Sequence, residues 1–175
     1  MSTAQPIKAP PPSGCLLEAY QQPEHYVDAF VMRVDGEVAF ADFVTAFYCS
    51  PRFRPERWLL GLKPSMRSSN AHARALGAGL RDEFAAWLVE ARRESELLLI
   101  DRSGRTRSWL MASPKTTQQG ARQTALYFGS AVVDVAEAPP RWFRATLGFH
   151  VRYSQKLLAS AVKTLPKVTA QETTP

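Results

Sequence analysis

The sequence has few of the residues that build metal centres and disulfide frameworks. It contains two cysteines and three histidines in 175 residues. Cys15 and Cys49 lie far apart and form no CxxC pair. The histidines, His25, His72 and His150, fall at no spacing typical of metal ligands. We therefore expect no disulfide framework, no metal site and no cofactor.

Long apolar runs and common catalytic motifs are also missing. No apolar run approaches the roughly 20 residues that a membrane-spanning helix needs. The opening stretch MSTAQPIKAPPPSG lacks the apolar centre of a signal peptide. There is no GxSxG, no P-loop and no GxGxxG motif. These absences predict a cytoplasmic protein without a membrane span, and they leave the reaction, if any, unidentified.

The composition is that of one folded domain with two polar ends. Hydrophobic residues make up 45% of the chain and charged residues 22%, which is enough for a core without covalent staples. The first residues are rich in proline, and the last ten, PKVTAQETTP, are short of apolar residues. We predict a disordered arm over 1–15, a single domain over 16–165 and a disordered tail over 166–175.

The net charge of +6 is concentrated in one segment. Residues 52–81 hold seven basic residues and one acid, Glu56, whereas the rest of the chain balances fifteen basic residues against fifteen acids. The segment is either a docking surface for an anionic partner or a solvated face that is rich in arginine. No aromatic interleaving and no nucleic-acid motif accompany the charges, so there is no strong nucleic-acid signal.

Hydrophobic periodicity predicts an α+β fold. A strand over 25–34 is followed by a helix through Phe40 and Phe47 and by a second short helix that starts near Pro55. Residues 63–80 read as a loop with one helical turn, or as the place of a further strand. From 83 to 133 the period becomes that of four antiparallel strands, of which EFAAWLVEARR is the first, and 141–165 is one long helix.

The order of these elements and several short stretches of the sequence resemble a known protein family. The stretches ESELLLIDRSGRTRSWLMASP, TALYFGSAVV and FRATLGFHVRYSQKLL resemble a bacterial family of unassigned activity in the START-like (SRPBCC) superfamily, over roughly 25–162. The resemblance implies a helix-grip fold, in which a curved antiparallel sheet wraps around the long C-terminal helix and two short helices follow the first strand. It also implies a cavity for a hydrophobic small molecule such as a lipid, polyketide or aromatic compound.

A histidine stands in the apolar face of the C-terminal helix. On a helical wheel His150 falls near the centre of the apolar arc, between Phe143 and Leu157, and we expect it to face the sheet. It is either a core residue hydrogen-bonded to the sheet or a polar group in the wall of a cavity. Tyr153 and Ser154 lie beside it, and a dry core would not need three polar side chains.

Strand alternation offers partners for this histidine. Arg107 and Trp109 share one face of their strand, and Tyr127 lies on the next strand. The arginine must reach an anionic ligand, water or a carboxylate such as Glu90, Glu96 or Asp101. Gly129 is typical of a bulge or bend. We predict a cavity wall formed by six residues: Trp87, Arg107, Trp109, Tyr127, His150 and Tyr153.

Three functions remain open at this stage. The first is binding of a hydrophobic small molecule between the sheet and the C-terminal helix. The second is an enzyme similar to polyketide cyclases and aromatases, with His150 and Tyr153 as acid and base. The third is an interaction module that docks an anionic partner through 52–81. The sequence leaves the oligomeric state open.

Overall fold

A computed structural model describes residues 5–133 and 141–166, with the backbone alone for 141–149. The fold is α+β, and its described part contains seven strands, four α-helices and two short 3-10 helices, Leu16–Tyr20 and Pro64–Met66. The strands are β1 (Ile7–Lys8), β2 (Tyr26–Asp35), β3 (Glu83–Phe84), β4 (Trp87–Arg93), β5 (Glu96–Asp101), β6 (Thr106–Thr116) and β7 (Arg122–Val132). The α-helices are α1 (Phe40–Cys49), α2 (Arg54–Leu60), α3 (Asn70–Gly77) and α4 (Arg141–Thr164).

The strands form a single antiparallel sheet in the order β1-β2-β7-β6-β5-β4-β3. Strands β3 to β7 are a meander, and the early strand β2 closes it by pairing with β7 along its whole length. Helix α4 packs against α1, β2 and β7. The predicted antiparallel meander over 83–133 and the predicted single C-terminal helix are confirmed.

The two faces of the sheet bury two separate cores. One face packs against α1, α3 and α4 and buries side chains such as Phe30, Leu99 and Leu126. The opposite face is covered by the 3-10 helix Leu16–Tyr20 and buries a smaller cluster that includes Leu17 and Trp109. Because side chains alternate along a strand, each position is assigned to one core or the other.

The segment 63–80 contains a helix and no strand. Helix α3 begins after Ser69, whose side chain accepts a hydrogen bond from the backbone N–H of His72 at 3.2 Å. Only Ala73 and Leu76 are buried on it. Such a narrow apolar stripe is a weak helical signal, which explains why the sequence pattern indicated no more than one helical turn.

The stretch EFAAWLVEARR, predicted as one strand, is broken into β3 and β4. The break lies at Ala85, which adopts a left-handed backbone conformation with a φ of 54°. This conformation is uncommon for a residue with a Cβ atom, and it turns the chain so that Phe84 pairs with Trp87. Two alternating apolar runs on either side of one turn look like a single strand in the sequence.

The structure differs from the predicted disordered arm. Ile7 pairs with Val31 and Lys8 with Phe30, so β1 extends the sheet at the edge of β2. Cys15 and Leu17 are buried against the second core. Proline-rich composition suggested disorder, but the apolar face of the sheet gives this stretch a surface to cover. Residues 167–175 of the predicted tail lie outside the described residues.

The basic segment 52–81 is exposed in part. Arg57 and Arg81 are half-buried and held by hydrogen bonds: Arg57 donates to Asn70 Oδ1 at 2.7 Å and to the Ser68 carbonyl at 3.1 Å, and Arg81 pairs with Glu83 at 2.7 Å. The other five basic residues are exposed, namely Arg52, Arg54, Lys63, Arg67 and Arg74. No described helix is both long and apolar enough to cross a bilayer.

Candidate functional site

A cavity of about 160 Å³ lies between the inner face of the sheet, α1, α2 and α4. Its apolar wall comes from Phe47, Phe53, Trp87, Phe128 and Leu157. The polar lining residues are Glu56, Thr106, Arg107, Ser108, Ser130, His150, Tyr153 and Ser154. A mainly apolar surface with several polar groups is typical of a small-molecule site.

One polar group of the cavity is the end of a hydrogen-bonded chain that runs from β2 to α4. Asp28 and Ser130 are opposite each other on β2 and β7, and both are buried. The Ser130 hydroxyl donates to Asp28 Oδ1 at 2.6 Å, and His150 Nε2 lies 2.8 Å from Ser130 Oγ. Since the only hydroxyl hydrogen is directed at the carboxylate, His150 Nε2 must be the donor to Ser130.

This chain fixes the orientation of the His150 ring, because its Nε2 is engaged with Ser130. Tyr26 donates to Asp28 Oδ2 at 3.1 Å and fixes the carboxylate from the other side. His150 is therefore held in one orientation against the sheet, as expected from its place in the apolar arc.

A second polar pair joins α2 to α4. The Tyr153 hydroxyl donates to Glu56 Oε2 at 2.8 Å. Burial raises the pKa of Glu56 above its ordinary value of 4.5, and the hydrogen bond from Tyr153 opposes this effect. Burial and the neighbouring carboxylate of Glu56 also raise the pKa of the Tyr153 phenol. The pair places an acceptor of high proton affinity in the cavity wall.

Glu56→Gln should change the pH dependence of stability. A carboxyl whose pKa is raised by folding binds its proton more tightly in the folded state, so the free energy of unfolding falls as pH rises from 4.5 through the raised pKa. We expect Glu56→Gln to remove this fall and to gain stability relative to the wild type from acid to neutral pH. Urea unfolding of both proteins over this range measures the difference.

Tyr153→Phe is the matched variant for that experiment. It removes the hydrogen bond that lowers the pKa of Glu56, so the fall in stability should extend to higher pH than in the wild type. A difference between wild type and Glu56→Gln that stays constant with pH would contradict the assignment of Glu56 as a buried carboxylate.

The cavity also contains a hydroxyl without a partner. Ser154 lies one helical turn after His150 and is 0% exposed. Its Oγ forms no hydrogen bond within the described part of the chain. Buried hydroxyls are nearly always paired with protein, water or a bound molecule, because an unpaired one costs about 1–3 kcal/mol. Ser154 therefore provides a free hydrogen-bonding group toward an occupant.

The structure places four of the six predicted wall residues at this cavity. Trp87 on β4, Arg107 on β6, and His150 and Tyr153 on α4 line it. Trp109 and Tyr127 lie on the opposite face of the sheet, with their ring centroids 6.0 Å apart. The alternation of each strand was predicted correctly, but alternation alone does not say which face α4 covers.

Arg107 borders the cavity, but its guanidinium belongs to the opposite face. Its Nε and Nη2 donate to Glu90 at 3.2 Å each, and the guanidinium carbon lies 4.6 Å from the centre of the Tyr20 ring. Tyr20 in turn donates to Glu90 at 2.5 Å. The alternative of a carboxylate-paired arginine on the outer face is confirmed, so this side chain does not serve an anionic ligand in the cavity.

Three members of these hydrogen-bonded groups were not predicted: Glu56 and Ser130, which line the cavity, and Asp28, which accepts the hydrogen bond from Ser130. Each carried a signal in the sequence. Asp28 is a charged residue in the middle of an apolar strand, and Glu56 is the one acid of the basic segment. Ser130 follows Phe128 by two positions and so shares its face. A buried polar residue in an apolar strand needs a hydrogen-bond partner, so its presence in the sequence indicates such a partner in the fold.

Comparisons with known proteins assign no family to this site. No protein-family model matches the sequence, and no curated protein matches it. Within residues 5–133 and 141–166, no group of three or more His, Cys, Asp or Glu side chains is placed to hold a metal ion. The cavity and its polar groups are thus the basis for any statement about function.

Proposed function

We propose that this protein is a helix-grip (START-like) domain that binds a small apolar molecule in the cavity between the sheet and α4. The observation that carries the proposal is the combination, in one apolar cavity, of an unpartnered buried Ser154 hydroxyl and an oriented His150. A dry core gains nothing from an unpaired hydroxyl, whereas a binding site needs both an apolar wall and a few fixed polar groups.

The chain topology supports the helix-grip assignment. The order is a strand, a run of helices, an antiparallel meander and a long helix, as the resemblance implies. The sheet order places β2 beside the last strand, β7, and α4 packs on these two strands. The number of helices after the first long strand differs, because α3 adds to the two that were expected.

The volume narrows the class of ligand. Ligand pockets for drug-sized molecules have several hundred Å³, and an apolar cavity of about 150 Å³ holds one benzene molecule. The cavity of about 160 Å³ therefore fits a single aromatic ring or a short apolar group. Of the three ligand types that the resemblance implies, the small aromatic type fits best.

The polar groups indicate a substituent on that ring. The Ser154 hydroxyl can donate or accept, and the carboxylate of Glu56 accepts a hydrogen bond. A ring with a hydroxyl or amino group would satisfy Ser154 and could share Glu56 with Tyr153. Phenols and anilines of this size are the compounds to examine first.

A catalytic alternative rests on the Glu56–Tyr153 pair. A carboxyl with a raised pKa in an apolar cavity can exchange a proton with a bound molecule, and His150 lies on the same helix as Tyr153. In this cyclase-like alternative, His150 and Tyr153 would act as acid and base, and a compound of one ring bound in the cavity would be converted. Mass analysis of a compound recovered after incubation separates conversion from binding.

The direct test is to identify what the protein holds. Native mass spectrometry and solvent extraction of the purified chain should reveal a small aromatic compound, and calorimetric titration with phenol and para-alkyl phenols should show saturable binding. Affinity should rise with the first methyl groups and fall once the compound exceeds the cavity. Absence of binding across the whole series contradicts the proposal.

His150→Phe should weaken binding of a phenol by about tenfold, because it removes a fixed polar group while keeping most of the side-chain volume. The loss of the bond to Ser130 should also lower the free energy of unfolding by about 1 kcal/mol. Titration calorimetry and urea unfolding measure the two effects separately.

Trp109→Phe is the control for that stability loss. Trp109 lies in the other core, so its replacement should destabilise the fold and leave phenol affinity unchanged. If His150→Phe likewise lowers stability without changing phenol affinity, His150 is a core residue and does not belong to the binding site.

A further inference from the structure

Three large apolar side chains stand in solvent on and just after α2. Trp58 is 72% exposed, Leu59 62% and Leu62 64%. They fall within five consecutive residues, in the stretch RWLLGL. Single exposed apolar residues are ordinary, but a group that contains a tryptophan marks an interaction surface.

Helix α2 is anchored by its other side, so this exposure is not the result of a loose segment. Phe53, just before the helix, is buried, and Glu56 lines the cavity and pairs with Tyr153. Arg57 is held by Asn70 and stacks over the Phe84 ring at 5.8 Å. The fold thus presents Trp58, Leu59 and Leu62 outward on a fixed element.

Exposed basic residues flank these apolar side chains in the sequence. Arg52 and Arg54 precede Trp58, and Lys63 and Arg67 follow Leu62. All four are exposed, and none of them forms a salt bridge or a side-chain hydrogen bond with another described residue. We call the seven residues Arg52, Arg54, Trp58, Leu59, Leu62, Lys63 and Arg67 the α2 patch.

We propose that the α2 patch docks this protein onto an anionic phospholipid surface. Such a surface offers phosphate groups to the cations and an acyl boundary to the tryptophan and leucines, and tryptophan in particular favours the interface. A nucleic acid would use the cations but would leave Leu59 and Leu62 without an apolar partner, and an acidic protein would need an apolar patch of its own beside its acidic residues. The proposal does not rest on a ligand in the cavity.

Flotation of the full chain with vesicles tests the docking. We expect binding to mixed phosphatidylcholine–phosphatidylglycerol vesicles, weaker binding at high salt, and little binding to phosphatidylcholine alone. Trp58 emission should shift to the blue on binding and be quenched by brominated acyl chains, and Trp58→Phe should remove that quenching. Binding without quenching of Trp58 overturns the proposal.

Leu62→Ser tests the apolar part and has a matched control. Ile7 on the far edge of the sheet is exposed to a similar degree, 61%. Leu62→Ser should weaken vesicle binding by about threefold to tenfold, whereas Ile7→Ser should not change it. Equal effects of the two variants overturn the proposal. A concentration-dependent dimer that Leu62→Ser abolishes, in a protein that ignores vesicles, also overturns it.

Two variants of equal net charge test whether vesicle binding depends on where the basic residues lie. One replaces Arg52, Arg54, Lys63 and Arg67 by glutamine, and the other replaces four exposed basic residues elsewhere, Lys8, Arg33, Arg105 and Lys115. The first should weaken vesicle binding by about a hundredfold or more and the second only slightly. Equal weakening means that overall charge and not the α2 patch attracts the vesicle, which overturns the proposal.

Discussion

Glu96→Ala is expected to lower the free energy of unfolding by about 3 kcal/mol. Glu96 is buried on β5 and accepts hydrogen bonds from the backbone N–H of Leu16 at 2.7 Å and from the Trp109 indole at 3.1 Å. Alanine leaves both donors buried and unpaired. Urea unfolding measures the loss, and limited proteolysis should cut the segment 5–20 faster than in the wild type.

Glu96→Gln is the control for that result. The amide keeps one oxygen acceptor near the same donors, so it should cost about 1 kcal/mol and leave the segment protected. If Glu96→Ala is as stable as the glutamine variant, the two hydrogen bonds do not hold the N-terminal segment against the sheet. Loss of stability without faster proteolysis would mean that these hydrogen bonds stabilise the fold but do not keep the segment 5–20 ordered.

The long, strongly periodic elements could be predicted from the sequence. The strand predicted over 25–34 corresponds to β2, in which the apolar run 29–32 is buried, and the arc of Leu157, Leu158 and Ala161 lies on α4, where all three side chains are buried. Such patterns repeat over several turns or alternations, so tertiary packing rarely overrides them. The side chains of 141–149, including Phe143, lie outside the described residues.

The sequence does not predict which face of each strand lies against α4. Both faces of the central strands are apolar, because the 3-10 helix Leu16–Tyr20 covers one of them and the α-helices cover the other. The sequence therefore predicts Trp109 and Tyr127 beside His150, whereas its hydrogen-bond partner in the structure is Ser130. The missing information was that the proline-rich N-terminal segment folds back onto the sheet.

Gly129 is typical of a bulge or bend in the sequence, but in the structure it marks no bulge. Its strand keeps an uninterrupted register with both neighbours, facing Ala29 on β2 and Trp109 on β6. A Cβ atom at this position would lie 2.7 Å from Leu17 Cδ2, 2.9 Å from the Asp28 carbonyl oxygen and 3.0 Å from Trp109 Cε3. The glycine is therefore required by close packing of a side chain and a backbone against β7.

Gly129→Ala is expected to lower the free energy of unfolding by about 3 kcal/mol, because the Asp28 carbonyl belongs to the paired backbone of β2 and cannot move aside alone. Gly120→Ala is the matched change. Gly120 has a φ of +80° and no atom within 4 Å of an added Cβ, so it should cost about 1 kcal/mol from backbone strain. Urea unfolding of both variants decides, and an equal loss would mean that Trp109 and β2 repack around the methyl group.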